Sequence, residues 1–108
     1  MNFVHSNTAY SNTFFVGFIR ISYDTLVEVF GEPTLGRSGD GKIQVEWCLK
    51  FEDGIVATIF DWKEYRKDYR QVTTWRIAGH EEKALDRIQE VLKKADKHYY
   101  SGVDLPRD

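Results

Sequence analysis

The chain has a single cysteine and no long apolar run, and each of these shortages excludes a class of protein. Cys48 cannot form an internal disulfide, which favours a reducing compartment over secretion. No apolar segment approaches the roughly 20 residues that a membrane-spanning helix needs. The first residues also lack the cationic start and apolar stretch of a signal peptide. We therefore expect a cytoplasmic protein without a membrane partner.

The charge balance lacks the basic excess that is typical of proteins binding nucleic acids through phosphates. Lys and Arg number 15 against 17 Asp and Glu, which leaves a net charge of −2. This near balance argues against a nucleic-acid partner. One local exception is the basic, tyrosine-rich run at residues 63–70 (KEYRKDYR). It is either a solvated, salt-bridged connector or part of an anion site.

The length of 108 residues allows one domain, and the 42% hydrophobic content is enough for one modest core. We predict a single domain over residues 1–108. Within it, residues 1–12 form a polar arm and residues 101–108 form a frayed tail.

The clearest structural signal is a β-hairpin around Asp53 and Gly54. Residues 43–52 alternate between apolar and polar side chains, and Asp-Gly favours a two-residue turn before a strand at residues 55–62. That turn places Phe51 opposite Val56, Trp47 opposite Phe60 and Glu46 opposite Asp61. Trp47, Phe60 and Trp62 then share the apolar face.

The remaining pattern completes a β-α-β-β-β-α order. Residues 12–21 and 71–78 are rich in β-branched and aromatic residues and are predicted as strands. Ser22 caps a short helix over residues 23–30, which Gly31 ends. An apolar stripe after His80 predicts a long C-terminal helix. We expect an α+β fold with a four-stranded, mainly antiparallel sheet and that long helix across one face.

No catalytic, metal-binding or cofactor motif is complete in this sequence. Residues 36–42 (GRSGDGK) match a phosphate-binding loop, but Ile43 replaces the required Ser or Thr, and a strand follows instead of a helix. They are predicted to form a flexible loop. The three histidines lie far apart, and one cysteine cannot build a zinc site. His80 is either a capping or surface residue or a catalytic base. We predict a non-enzymatic protein without metal or cofactor.

A first candidate site is the pair of acids that the predicted register places opposite each other. Glu46 and Asp61 would destabilise the sheet unless a cation such as Lys63 or Arg76 lay between them. They form either a surface salt-bridge cluster or a ligand site, in which a carboxylate accepts from a base or a ribose.

A second candidate site combines aromatic rings with cations. Trp62 lies at a strand end beside Lys63 and Arg66, and Trp75 and Arg76 lie on the neighbouring strand. Trp62 and Trp75 either belong to the core or stack on a nucleobase. Lys63, Arg66 and Arg76 would then meet phosphate, and Asp61 or Glu46 would bind the ribose or base edge.

Four short motifs resemble a family of small bacteriophage proteins. They are FGEP at residues 30–33, EWxLxFxDG at residues 46–54, ATIFDWK at residues 57–63 and WxIxG at residues 75–79. Members carry Gly-Gly where this chain has Ala78-Gly79, followed by a variable residue, so His80 is not carried over as a site. The resemblance implies a protein that acts inside an infected bacterium, in the host cytoplasm.

The expected function combines this resemblance with the candidate sites. We expect a counter-defence protein that binds and sequesters a nucleotide-derived immune signal without catalysis, as a homo-oligomer. The alternative is a protein–protein inhibitor of a defence effector such as a CRISPR nuclease, with Tyr65, Tyr69, Tyr99 and Tyr100 as its interface.

Overall fold

The computed structural model describes residues 2–6, 8–64 and 67–104, and shows one six-stranded antiparallel sheet with two helices. The strand order across the sheet is β1-β3-β4-β5-β2-β6. The strands are β1 (Phe3–His5), β2 (Phe14–Arg20), β3 (Glu46–Phe51), β4 (Val56–Phe60), β5 (Thr74–Gly79) and β6 (Tyr100–Gly102). The helices are α1 (Tyr23–Phe30) and α2 (Lys83–Lys94), and both contribute to one core cluster on the same face of the sheet.

The predicted four-stranded sheet is wrong, because two further strands lie at its edges. β1 falls within the predicted polar arm, and β6 falls within the predicted frayed tail. Each has three residues. A run of that length shows no alternation from which a strand could be read. The positions of Met1, Asn7 and residues 105–108 in those segments lie outside the described residues.

Tertiary contacts hold β1 in place where local propensity cannot. His5 Nε2 donates to the carbonyl oxygen of Phe30 over 2.7 Å, and its Nδ1 lies 2.7 Å from the Thr34 hydroxyl. Because a carbonyl only accepts, Nδ1 is the acceptor of the Thr34 proton. The Thr34 oxygen in turn accepts from the backbone N–H of Cys48. This chain of hydrogen bonds ties β1 to the end of α1 and to β3.

The predicted register of the hairpin is wrong by one residue. Lys50 pairs with Val56, Trp47 with Ile59 and Glu46 with Phe60. The reason is a three-residue loop at residues 52–54, in which Gly54 has a φ of +88°. A one-residue slip sends each side chain of a strand to the opposite face.

The slip therefore moves two aromatic rings away from the predicted apolar face. Trp47 and Ile59 point into the core beneath the helices. Phe60 points to the other face, and Trp62 lies against it with ring centroids 6.4 Å apart.

Two fully buried indoles join α1 to the sheet. Trp47 and Trp75 meet edge to face, with ring centroids 5.4 Å apart. Trp47 Nε1 donates to the carbonyl of Gly31 over 2.8 Å, and Trp75 Nε1 donates to that of Ile21 over 3.0 Å. These two carbonyls flank α1, whose predicted bounds are confirmed. Each indole therefore satisfies its buried N–H while fixing one end of the helix.

The segment between β1 and β2 crosses the sheet, because β1 pairs with β3 whereas β2 pairs with β5. Two hydrogen bonds hold this segment. The Ser6 N–H donates to the Cys48 carbonyl, and His80 Nε2 donates to the Ser11 carbonyl. The helices occupy one face, so the segment crosses the other. Cys48 and Thr58, which pair with each other across β3 and β4, are buried on the face away from the helices.

Substitution of Gly79 tests the close approach of α2 to β5. A Cβ at Gly79 would lie 2.5 Å from the Cβ of Ala84 and 2.9 Å from the Val56 carbonyl oxygen. We expect Gly79→Ala to lower the free energy of unfolding by about 1–3 kcal/mol. Urea denaturation followed by circular dichroism measures this. The matched control is Gly39→Ala, because no atom lies within 4 Å of its added Cβ. Equal unfolding midpoints for both variants would contradict the close approach.

Candidate functional site

An open recess lies on the sheet face away from the helices. Phe15 of β2, Phe60 of β4, Trp62 just after β4 and Arg76 of β5 line it, and its volume is about 290 Å³. The Arg76 guanidinium lies 5.6 Å from the centroid of the Phe15 ring. Cross-strand pairing of Phe60 with Arg76 places both side chains on this face. The recess therefore combines three aromatic walls with one cation.

Two lysines flank the indole of Trp62. Lys42 Nζ lies 5.7 Å from the ring centroid and Lys63 Nζ lies 5.6 Å from it. The backbones of the two lysines are joined, because the Lys63 N–H donates to the Lys42 carbonyl over 2.8 Å. Ammonium groups at this distance are attracted to the ring. Two positive charges therefore lie near the Trp62 indole, beside the recess.

The glycine-rich segment at residues 36–42 positions Lys42. The Ser38 hydroxyl donates to Asp40 over 2.7 Å, and Asp40 also accepts from the backbone N–H of Lys42 over 3.1 Å. These hydrogen bonds, above all that from Ser38, lower the pKa of Asp40. The sequence predicted a flexible loop here and did not include Lys42 in the site. The Ser-Gly-Asp turn beside it is the signal that pointed to local order.

Asp61 is fully buried and is engaged with the backbone. Its Oδ1 accepts from the N–H of Gln44 over 2.9 Å and from that of Val45 over 3.0 Å. Within the described chain, its Oδ2 has no hydrogen-bond partner. Asp61 therefore closes the open end of the hairpin and does not reach the recess surface.

Glu46 lies opposite Phe60 and not, as the sequence predicted, opposite Asp61. Burial raises the pKa of Glu46, and the negative charge of Asp61 raises it further. Cys48 follows on the same face, where burial and then Glu46 raise the pKa of its thiol to about 12. The Cys48 thiol is consequently protonated at neutral pH and is not a nucleophile.

The other predicted ligand residues divide into three cases. Trp75 has no exposed surface, because it belongs to the core on the helix side of the sheet. Arg66 lies outside the described residues. Arg76 reaches the recess, where burial lowers the pKa of its guanidinium and Glu64 opposes that shift. Of the predicted set, Trp62, Lys63 and Arg76 come together at the recess and Trp75 and Asp61 do not.

Three tyrosines of the alternative interface, Tyr69, Tyr99 and Tyr100, lie in different surroundings. Tyr69 packs edge to face on Tyr23, and Tyr99 packs against the core. Tyr100 is exposed on the sheet face away from the helices, where its ring lies 5.7 Å from the Arg20 guanidinium. Tyr65 lies outside the described residues.

The described residues contain no cluster of three or more His, Cys, Asp or Glu that could hold a metal ion. Among them, no helix is long and apolar enough to cross a membrane. His80 Nε2 donates to the Ser11 carbonyl over 2.8 Å, so the His80 ring binds the segment between β1 and β2.

Replacing Asp61 tests its structural role. We expect Asp61→Ala to lower the free energy of unfolding by about 2–3 kcal/mol, because two backbone N–H groups lose their acceptor. Asp61→Asn should cost less, since its amide oxygen still accepts. Chemical denaturation compares both with Glu90→Ala, an exposed carboxylate on α2. A loss for Asp61→Ala no larger than that control would show that the contacts contribute nothing.

Replacing Glu46 tests the effect of its burial. Its pKa in the folded state is raised above the ordinary 4.5, so wild-type stability falls as the pH rises from about 4.5 through the folded-state pKa. We expect Glu46→Gln to melt at a higher temperature than wild type at pH 7. The difference should shrink toward zero below pH 4.5. Melting curves from pH 3.5 to 8 measure this, and a constant difference across that range would contradict it.

Comparisons of the chain with protein-family models, with curated proteins and with solved structures found no match. The resemblance to the bacteriophage family stays a prediction. The assignment of function consequently depends on the chemistry of the recess itself.

Proposed function

We propose that this protein binds a nucleotide-type ligand in the recess and releases it unchanged. The observation that carries the proposal is the half-buried Trp62, which lines the recess with Arg76 and has the ammonium groups of Lys42 and Lys63 at 5.7 and 5.6 Å from its ring centroid. Aromatic rings offer a stacking surface for a base, and the cations offer charge-assisted hydrogen bonds to phosphate.

The cations at the recess are available to an anionic ligand. The ion pairs within the described residues involve Arg70, Arg87 and Lys97, and none involves Lys42, Lys63 or Arg76. The Arg76 side chain is half-buried, so its guanidinium has lost part of its hydration, and this burial lowers its pKa. A phosphate oxygen beside it would compensate for that loss, which is a reason for an anion to prefer this position.

The groups around the recess favour binding over catalysis. The Cys48 thiol is buried and protonated, Asp61 holds backbone N–H groups, and His80 binds the Ser11 carbonyl. Asp61 and His80 are engaged in hydrogen bonds and the Cys48 thiol is protonated, so the described residues offer no activated nucleophile with a neighbouring base at this site.

The biological role of such binding follows from the resemblance. A small bacteriophage protein that captures a nucleotide without converting it fits the sequestration of a nucleotide-derived immune signal in the host cytoplasm. The recess is open to solvent, so a homo-oligomer would be needed to enclose the ligand.

Isothermal titration with cyclic oligonucleotides and ADP-ribose-type signals tests the proposal. We expect saturable binding of at least one member of the panel, and recovery of that compound with unchanged mass after heat denaturation. No binding across the panel would overturn the proposal. A changed mass would show that the protein is an enzyme.

Substitution of Trp62 locates the binding. We expect Trp62→Ala to weaken the affinity for the bound member of the panel by about 10- to 100-fold, through the lost stacking surface. The matched control is Tyr100→Ala, which removes another ring with a neighbouring cation on the same sheet face. Equal affinities of the two variants would show that the ligand binds elsewhere.

A further inference from the structure

One edge of β2 is only partly covered. β6 pairs with residues 18–20 of β2 and ends at Gly102, opposite Phe18. On their other side, Phe14 and Phe15 pair with β5 and Val16 lies at a register shift, and within the described chain residues 14–16 have no strand on this side. Unpaired backbone groups on a strand edge are a template for another strand. The open stretch is about 10 Å long at about 3.3 Å per residue.

A groove of about 500 Å³ runs beside this open edge, between the start of α2 and the chain after β6. Its apolar lining consists of Phe14, Phe15, Val16, Leu85 and Val103. Phe14, Phe15 and Val103 are 50%, 40% and 64% exposed and are among the few large apolar side chains exposed in the described chain. Apolar surface concentrated in one groove marks an interaction site more often than scattered apolar residues do.

Three carboxylates line the same groove. They belong to Glu82 and Asp86 at the start of α2 and to Asp104 after β6. The ion pairs of the described residues include none of the three. Lys83 lies at the same end of α2 but does not line the groove. The groove is therefore apolar at its base and negative at its rim.

This charge distribution selects among possible occupants. A second copy that paired edge to edge through β2 would bring two sets of these carboxylates together, which like-charge repulsion opposes. A segment with positive side chains would instead form charge pairs at the rim while its apolar side chains covered Phe14, Phe15 and Val103. Charge complementarity thus favours a basic partner over a second copy.

We propose that residues 14–16 of β2 receive an extended segment of a partner protein by strand addition, and that this segment carries Lys or Arg beside apolar residues. Backbone hydrogen bonds to the strand edge supply affinity, and the acidic apolar groove selects the sequence. The site differs from the nucleotide recess, with which it shares Phe15 alone. Its occupancy can be measured without any nucleotide.

A pair of short peptides tests the charge preference. The probe is an acetylated, amidated seven-residue peptide of alternating Lys and Val, and the control replaces each Lys with Glu. Titrated into the ¹⁵N-labelled full chain, the Lys peptide should shift the backbone amide signals of residues 14–17 and 103–104. Equal binding of the Glu peptide, or shifts confined to other residues, would overturn the proposal.

N-methylation of the Lys peptide separates strand addition from nonspecific charge attraction. An added strand donates alternate N–H groups to its neighbour, so methylating one alternate set should weaken binding by at least about tenfold. Methylating the other set should change the affinity by less than about threefold. Equal effects of the two sets would exclude strand addition.

Matched variants locate the groove. The double variant Glu82→Gln with Asp86→Asn should weaken binding of the Lys peptide by about tenfold, whereas Glu81→Gln with Glu90→Gln, on the same helical segment, should not. Phe14→Ser should weaken binding, whereas Val4→Ser, at an exposed apolar site on β1, should not. Equal effects of variants and controls would place the peptide elsewhere. Circular dichroism confirms that each variant is folded.

Discussion

The three-residue loop at residues 52–54 decides which side chains of β3 and β4 face the helices and which face the open side of the sheet. Gly54 takes up the left-handed conformation that this loop requires, and the backbone hydrogen bonds between Phe51 and residues 54 and 55 fix the pairing. Trp47 then enters the core and Phe60 leaves it. The pairing register set by this loop therefore places Trp47 against the end of α1 and Phe60 in the wall of the recess.

The candidate site is assembled from parts that serve different purposes. Asp61 stabilises the end of the hairpin from within, and the Ser38–Asp40 turn places Lys42 from outside. Trp62 follows Asp61 in the chain and is half-buried, with the ammonium groups of Lys42 and Lys63 near its ring. The recess is therefore built beside a carboxylate that the hairpin itself uses.

Patterns that depend on neighbouring residues were predictable, and contacts between distant residues were not. The bounds of α1 followed from Ser22 and Gly31, because caps act within one turn of the chain. The hairpin was predictable, but Asp53-Gly54 suits both a two-residue and a three-residue loop, so its register was not. The short strands β1 and β6 make contacts that no local pattern contains: His5 of β1 with Phe30, and Tyr100 of β6 with Phe18 and Arg20. Contacts between distant residues also separate Trp62 from Trp75. The two residues looked equivalent in sequence, but they lie on opposite faces of the sheet.

The crossing of the first residues over the sheet has a kinetic consequence. β3 and β4 are joined by a short loop. β1 pairs with β3 only when the much longer stretch of chain from Phe3 to Phe51 is closed into a loop. Because closing the longer loop costs more chain entropy, the hairpin can form before β1 pairs with β3. During synthesis the first strand leaves the ribosome long before its partner exists. β1 can therefore join the sheet only after a later segment of the chain has been made and has folded.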